Sequence, residues 1–168
     1  MVEKGLMNVT PIVKKLKNLN ILIVENNIEK RQSMESILNK YGFEKRSFFD
    51  DARSALDSVL CGTVYDLVIL DWKMENTISS KDFCSQISKL NKSMPIVFIT
   101  SNSMMDYFQA FEHGAHNIIK TPFDEKDFIK AIWSAVDIET YRRELRLKDL
   151  ATTKKQVFFR LQQIASQA

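Results

Sequence analysis

The sequence predicts an α/β chain with a flavodoxin-like, doubly wound sheet of five parallel strands. Short apolar runs recur along it, amphipathic helical stretches separate them, and most runs end in a polar residue able to do chemistry. The most telling run is Tyr65-Asp66-Leu67-Val68-Ile69-Leu70-Asp71. A continuous apolar run bounded by polar residues reads as a central strand buried on both faces. Its last residue, Asp71, then stands at the carboxyl end of the sheet, where open α/β folds place their ligands.

The elements follow in order. Met1 to Leu19 is a basic lead-in carrying Lys14, Lys15 and Lys17, partly helical or loose. Asn20–Val24 is the first strand and runs into Glu25-Asn26-Asn27. Ile28–Tyr41 is a helix with Ile28, Met34, Ile37 and Leu38 as its apolar set, stopped by Gly42. Phe43–Phe49 is a shorter strand. Asp50 or Asp51 caps a helix through Leu60, with Ala52, Ala55, Leu56 and Val59 on one face. After the Asp71 strand, Ser79 or Ser80 caps a helix that turns Phe83, Ile87 and Leu90 inward. Pro95–Ile99 is the next strand, ending in Thr100-Ser101, and Ser103–His113 a helix ending at Gly114. Asn117–Lys120 is the last strand. Asp124 starts the final helix, with Phe128, Ile129, Ile132, Trp133 and Val136 packing.

The helical pattern continues through Tyr141, Leu145, Leu147 and Leu150, too far for a docked helix. The expected organisation is an extension over residues 1–18, a globular domain over 19–137, a linker helix over 138–150 and a helical tail over 151–168. Tyr141 to Arg160 is basic, with seven Lys or Arg against Glu144 and Asp149. That composition fits a solvated helical face or the approach to a DNA-binding module.

Composition narrows the class. A net charge of +3 is too small to imply nucleic-acid binding by itself. No apolar stretch approaches membrane-spanning length, and Met1–Asn20 lacks a signal-peptide pattern. Cys61 and Cys84 have no metal spacing and read as reduced core or near-core thiols. The expectation is a cytoplasmic protein. No glycine-rich loop follows the first strand, which argues against nucleotide or flavin binding. Phe48-Phe49, Phe108 with Phe111, and Met104-Met105 read as core or dimer surface. His113 and His116 flank a helix-end glycine and need no catalytic role.

Ile21-Leu22-Ile23-Val24-Glu25-Asn26-Asn27, Asp71-Trp72-Lys73-Met74, Ile99-Thr100-Ser101 and Gly114-Ala115…Thr121-Pro122-Phe123 occur in an order and spacing that resembles a response-regulator receiver domain of the CheY-like superfamily. The resemblance covers about Leu19 to Asp137. It implies a signalling module rather than an enzyme in the usual sense. In that family an aspartate takes a phosphoryl group from a histidine kinase or small donor, giving an acyl phosphate. The transfer relies on charge neutralisation by Mg²⁺ and a lysine.

Carried over by position, the resemblance makes Asp71 the phosphoacceptor and Thr100 the switch hydroxyl. Glu25, Asn26, Asp71 and the Lys73 backbone carbonyl become the Mg²⁺ ligands, with Lys120 the candidate phosphoryl-pairing cation. Several positions depart from the pattern. Asn26 stands where a direct metal-binding carboxylate is usual, so Mg²⁺ is expected to be held weakly. Thr121 has the usual lysine position, and Lys120 is one residue early. One step along a strand turns a side chain to the opposite face. Lys120 then regains the site only through a bulge or a reach around the strand end. Ile118 replaces the switching aromatic, Glu75 a proline, and Ser79 a glycine.

These departures cluster on one edge. They favour an atypical receiver working without phosphate over one that is phosphorylated on Asp71 inefficiently. Leu150-Ala151-Thr152-Thr153-Lys154-Lys155-Gln156-Val157-Phe158 resembles the entrance to a LuxR/FixJ-type helix-turn-helix, and Pro95–Thr100 resembles the receivers of that group. The sequence stops at Ala168, before a recognition helix. The tail is therefore either the start of an output domain or a helical hairpin, and specific DNA contact is expected only through an output domain beyond it. The resemblance also implies homodimerisation through the fourth helix, last strand and last helix, with Tyr107, Phe111, Trp133 and Tyr141–Leu150 as candidates. The functional expectation is an atypical two-component receiver regulating a transcriptional output through dimerisation. A conventional phosphoacceptor and a stand-alone protein-binding adaptor are the alternatives.

Overall fold

The structure, a computed structural model, describes residues 18–74, 77–101, 104–137 and Leu150, with the backbone alone at 104–107. The elements are β1 (Ile21–Val24), α1 (Ile28–Tyr41), β2 (Arg46–Phe49), α2 (Ala52–Leu60), β3 (Leu67–Asp71), α3 (Ser80–Leu90), β4 (Ile96–Thr100), α4 (Met104–Glu112) and β5 (Asn117–Lys120). A final helix, α5, covers residues 125–137. The expected 1–18 extension, apart from Asn18, lies outside the described residues, as do Glu75, the Tyr107 side chain, the linker helix before Leu150 and the tail after it.

The strands form one parallel sheet in the order β2-β1-β3-β4-β5. This is the doubly wound five-stranded fold that the sequence predicts. β1, β3 and β4 are buried along their whole length, as runs covered on both faces require. Alternation splits the core in two. Ile21, Ile23, Ile69 and Ile99 face Met34 and Leu38 of α1 and Phe128 and Ile132 of α5. Leu22, Val24, Leu70 and Phe98 face Leu56 of α2, Phe83 of α3 and Ala110 of α4.

The caps explain the boundaries. Asn27 caps α1, Asp51 caps α2 and Ser79 caps α3, each side chain accepting a hydrogen bond from a first-turn N–H. Gly42 stops α1 in the left-handed region at φ 76°, where its N–H reaches the Asn39 and Leu38 carbonyls. Phe43 N–H then donates to Leu38 O, so this segment belongs to the helix stop and β2 begins only at Arg46.

Several packing expectations need correction. Leu90, Ile28 and Trp133 are exposed, since each sits at a helix end or flank beyond the sheet's cover. Phe108 and Phe111 are also on the surface, which removes the core reading for them. Cys61 is exposed at the end of α2, while Cys84 is buried. His116 ties β5 to β4: its Nδ1 accepts from Ile96 N at 3.2 Å, and its own N–H donates to Ile96 O at 2.7 Å.

Candidate functional site: the carboxyl edge of the sheet

In-register pairing places the candidate residues together. Val24 pairs with Leu70, so Glu25 follows β1 directly beside Asp71 at the end of β3. Asp71 in turn pairs with Ile99, which brings Thr100 to the same edge. Glu25, Asp71 and Thr100 are all buried, so these polar groups lie in a poorly hydrated setting.

Each carboxylate is held from its own loop. Asn27 N–H donates to Glu25 Oε1 at 2.9 Å, and Lys73 N–H donates to Asp71 Oδ1 at 2.9 Å. Thus it is the Lys73 backbone N–H that touches Asp71. The buried Ser80 hydroxyl donates to the Asp71 carbonyl at 2.8 Å and fixes the start of α3 against the strand end.

The cation at this edge is Lys30, from the first turn of α1. Its Nζ donates to Asp71 Oδ2 at 2.7 Å and lies 3.3 Å from Glu25 Oε2. The local sequence dictates this. Asn27 Oδ1 accepts from Lys30 N at 2.9 Å, which sets Lys30 as the third residue of the helix. Side chains in a helix lean toward its N-terminus, so this lysine points back over the cap to the strand ends. Burial and the neighbouring Asp71 charge push the Glu25 carboxyl above the usual range, partly offset by the Asn27 N–H and Lys30. Burial opposes the charge on Lys30, yet its hydrogen bond to Asp71 and the two carboxylates outweigh it and raise its pKa.

The remaining predicted residues are placed differently. Asn26 is exposed beside the buried Glu25. Lys120 is exposed and borders a groove between β5 and α5 that Asp127 and Lys130 also line. Among the described residues, the ion pairs of Asp71 and Glu25 are with Lys30, not Lys120. The strand-end position is Thr121, whose N–H and Oγ1 donate to Thr100 O at 2.8 and 3.3 Å. The sequence reading missed Lys30 and named Ser80 only as a possible helix cap, a role that Ser79 takes. An amide cap followed three residues later by a lysine, next to an acidic strand end, was the available signal for Lys30.

Beside the site, Trp72 meets Phe98 edge-on at 5.0 Å and stacks on His113 at 6.0 Å between ring centroids. It therefore joins the residue after Asp71 to the end of α4.

Glu25 and Asp71 have the oxygen donors that a hard divalent cation prefers. Nevertheless, the Lys30 ammonium lies within 3.3 Å of both, and among the described residues no group of three or more His, Cys, Asp or Glu could hold a metal. The edge as built does not fit Mg²⁺ well.

Two acids at the ends of adjacent central strands mark the carboxyl edge of this 2-1-3-4-5 parallel sheet as the candidate site. Residues 21–133 match the response regulator receiver domain. The chain is 27% identical over 125 residues to nodulation protein W of Bradyrhizobium diazoefficiens, covering 74% of this chain and 54% of that protein. It is 32% identical over 116 residues to response regulator ArlR of Staphylococcus epidermidis, covering 67% of this chain and 50% of that one. The chain thus spans about half the length of the curated relatives it matches. The chemotaxis response regulator CheY4 of Vibrio cholerae superposes with a TM-score of 0.63 at 21% identity, covering 70% of this chain and 98% of that one. The chain belongs to the response regulator receiver domain family, whose members are signalling modules of two-component systems. Receiver domains typically bind Mg²⁺ at the phosphorylation site and interact with histidine kinases. Among the described residues no helix is long and apolar enough to cross a membrane.

Proposed function

We propose that this chain is an atypical receiver, over residues 19–137, that regulates a DNA-binding transcriptional output through dimerisation and does not depend on phosphorylation of Asp71. One observation carries the reading. The last strand brings no cation to Asp71: Lys120 is exposed at the β5–α5 groove, and Thr121 spends its side chain on the Thr100 carbonyl. A phosphoryl group on Asp71 would lack the last-strand lysine of the usual arrangement and would face Lys30, which already pairs with both acids. Asn26 brings no charge to a metal, so Mg²⁺ would be held weakly.

Dimerisation through α4, β5 and α5 is supported by Phe108, Phe111 and Trp133. These large apolar side chains leave 64%, 54% and 39% of their surfaces exposed on α4 and α5. A conventional phosphoacceptor is the second reading. Asp71 keeps its strand-end position, with Oδ1 held by the Lys73 N–H, as an attacking carboxylate requires.

Intact-mass spectrometry after incubation with a small phosphodonor and Mg²⁺ tests the proposal, beside an Asp71→Asn control and a standard receiver. No adduct is expected on the folded protein while the standard reacts. A phosphoryl adduct that disappears in the control would establish the second reading.

A further inference from the structure

We propose that Lys30 is a built-in cation that occupies the acidic edge in place of a divalent metal, so that Mg²⁺ binds only by displacing it. The proposal rests on reading this edge as a receiver site.

Three observations converge on it. The first is position. The ammonium is 2.7 Å from Asp71 Oδ2 and 3.3 Å from Glu25 Oε2, the two acids from adjacent strands that face each other here. A cation bridging both would need that space. The second is need. Glu25 is fully buried, and its Oε2 accepts no hydrogen bond among the described residues. A buried carboxylate oxygen without a hydrogen bond calls for a nearby positive charge. Lys30 is the charge that faces it.

The third is the local cost of the arrangement. A lysine in the first turn opposes the helix dipole, which favours anions there. Lys30 sits in that turn and is only about one-third exposed, at 31% of its side chain. Neighbouring Arg31 is engaged instead with Asp50 at the end of β2, so it does not share the task. The unfavourable placement of Lys30 is compensated by the two carboxylates. Its amide is fixed by Asn27, the residue whose own N–H holds Glu25. One short segment, Glu25 to Lys30, thereby carries an acid, the cap that orients it and the cation that neutralises it.

The chemistry sets the consequence. Two carboxylates and one ammonium leave a single net negative charge, against two if the lysine were absent. A divalent cation entering the edge meets half the charge, plus a cation that must first move away.

Isothermal titration calorimetry with MgCl₂, without any phosphodonor, tests this on the full chain. Thermal unfolding with and without Mg²⁺ gives a second readout, because a ligand that binds only the native state raises its stability. Lys30→Met is expected to bind Mg²⁺ at least about tenfold more tightly than the wild type, from the charge argument above. Its melting temperature should rise with Mg²⁺ while the wild-type value stays nearly constant. Lys30→Arg, which keeps the charge and the reach, should stay close to wild type. Adding Asp71→Asn to Lys30→Met should remove the gain.

Equal affinity in the wild type and Lys30→Met would overturn the proposal, as would a gain that survives Asp71→Asn. Should Lys30→Met fold only in Mg²⁺, that dependence is itself the expected result. A Lys30→Met chain unfolded with and without Mg²⁺ would mean that the metal cannot replace the lysine, and the proposal fails. Failure of phosphotransfer leaves this result unaffected, so the two readings fall separately.

Discussion

Lys30 Nζ lies 2.7 Å from Asp71 Oδ2, joining the first turn of the first helix to the end of the central strand across 41 residues of chain. The usual cation of such a site comes from the last strand. Here it comes from the segment that also supplies Glu25 and its Asn27 cap. One of the two negative charges is therefore offset from the first turn of α1, not from the last strand.

Asp51 shows how the loops at this edge are built, and its effect depends on pH. Its carboxylate accepts from Ser54 N at 2.9 Å, Ser54 Oγ at 2.7 Å and Thr77 Oγ1 at 3.1 Å. These bonds, the Ser54 N–H first, hold the carboxyl below its usual range. The folded pKa is lower than the unfolded one. The stabilisation is therefore complete above about pH 4, the ordinary carboxylate value, and is lost as pH falls through the folded value. Asp51→Ala should cost about 1 kcal/mol at neutral pH, read by denaturant unfolding, and progressively less in acid. An unchanged midpoint at neutral pH would rule out the cap.

The two cysteines should differ in reactivity. Burial pushes the Cys84 thiol up to about 12, whereas Cys61 is exposed at the end of α2. A thiolate-selective reagent should modify Cys61 quickly and Cys84 only after denaturation. Rapid modification of both in the native protein would contradict the packing of α3 on the sheet.

Phe83 and Leu90 share α3 but not its role. Phe83 is fully buried between the helix and the sheet, and Leu90 is 53% exposed at the last turn. Phe83→Ala should destabilise by about 3–5 kcal/mol, as a cavity in a packed core does. Leu90→Ala should stay within about 0.5 kcal/mol, typical of surface positions. Comparable losses for the two would mean that α3 is rotated from the position described.

Most of the sheet was legible because buried parallel strands write themselves as apolar runs. The acids Glu25 and Asp71 follow such runs, so register alone brings them together. The strand slip of Lys120 was legible for the same reason, since the period of two fixes which face a residue takes. Burial at helix ends was not. Leu90 continues an apolar period past the last covered turn of α3, and Trp133 lies on the flank of α5 between buried Ile132 and Ala135; periodicity fixes neither limit of the cover. Lys30 is not legible from the strand pattern, which leads to the last strand for a cation. A first-turn lysine looks like a solvent-facing residue until the cap geometry turns it back toward the strand ends.

The central claim is that Lys30 and Asp71 are coupled. A double-mutant cycle on unfolding free energy, with Lys30→Met, Asp71→Asn and the pair, measures this most directly. The account predicts a favourable coupling of about 1–3 kcal/mol, the range for contacting charged partners with a hydrogen bond. Additive single-mutant effects, with no coupling beyond error, would contradict it.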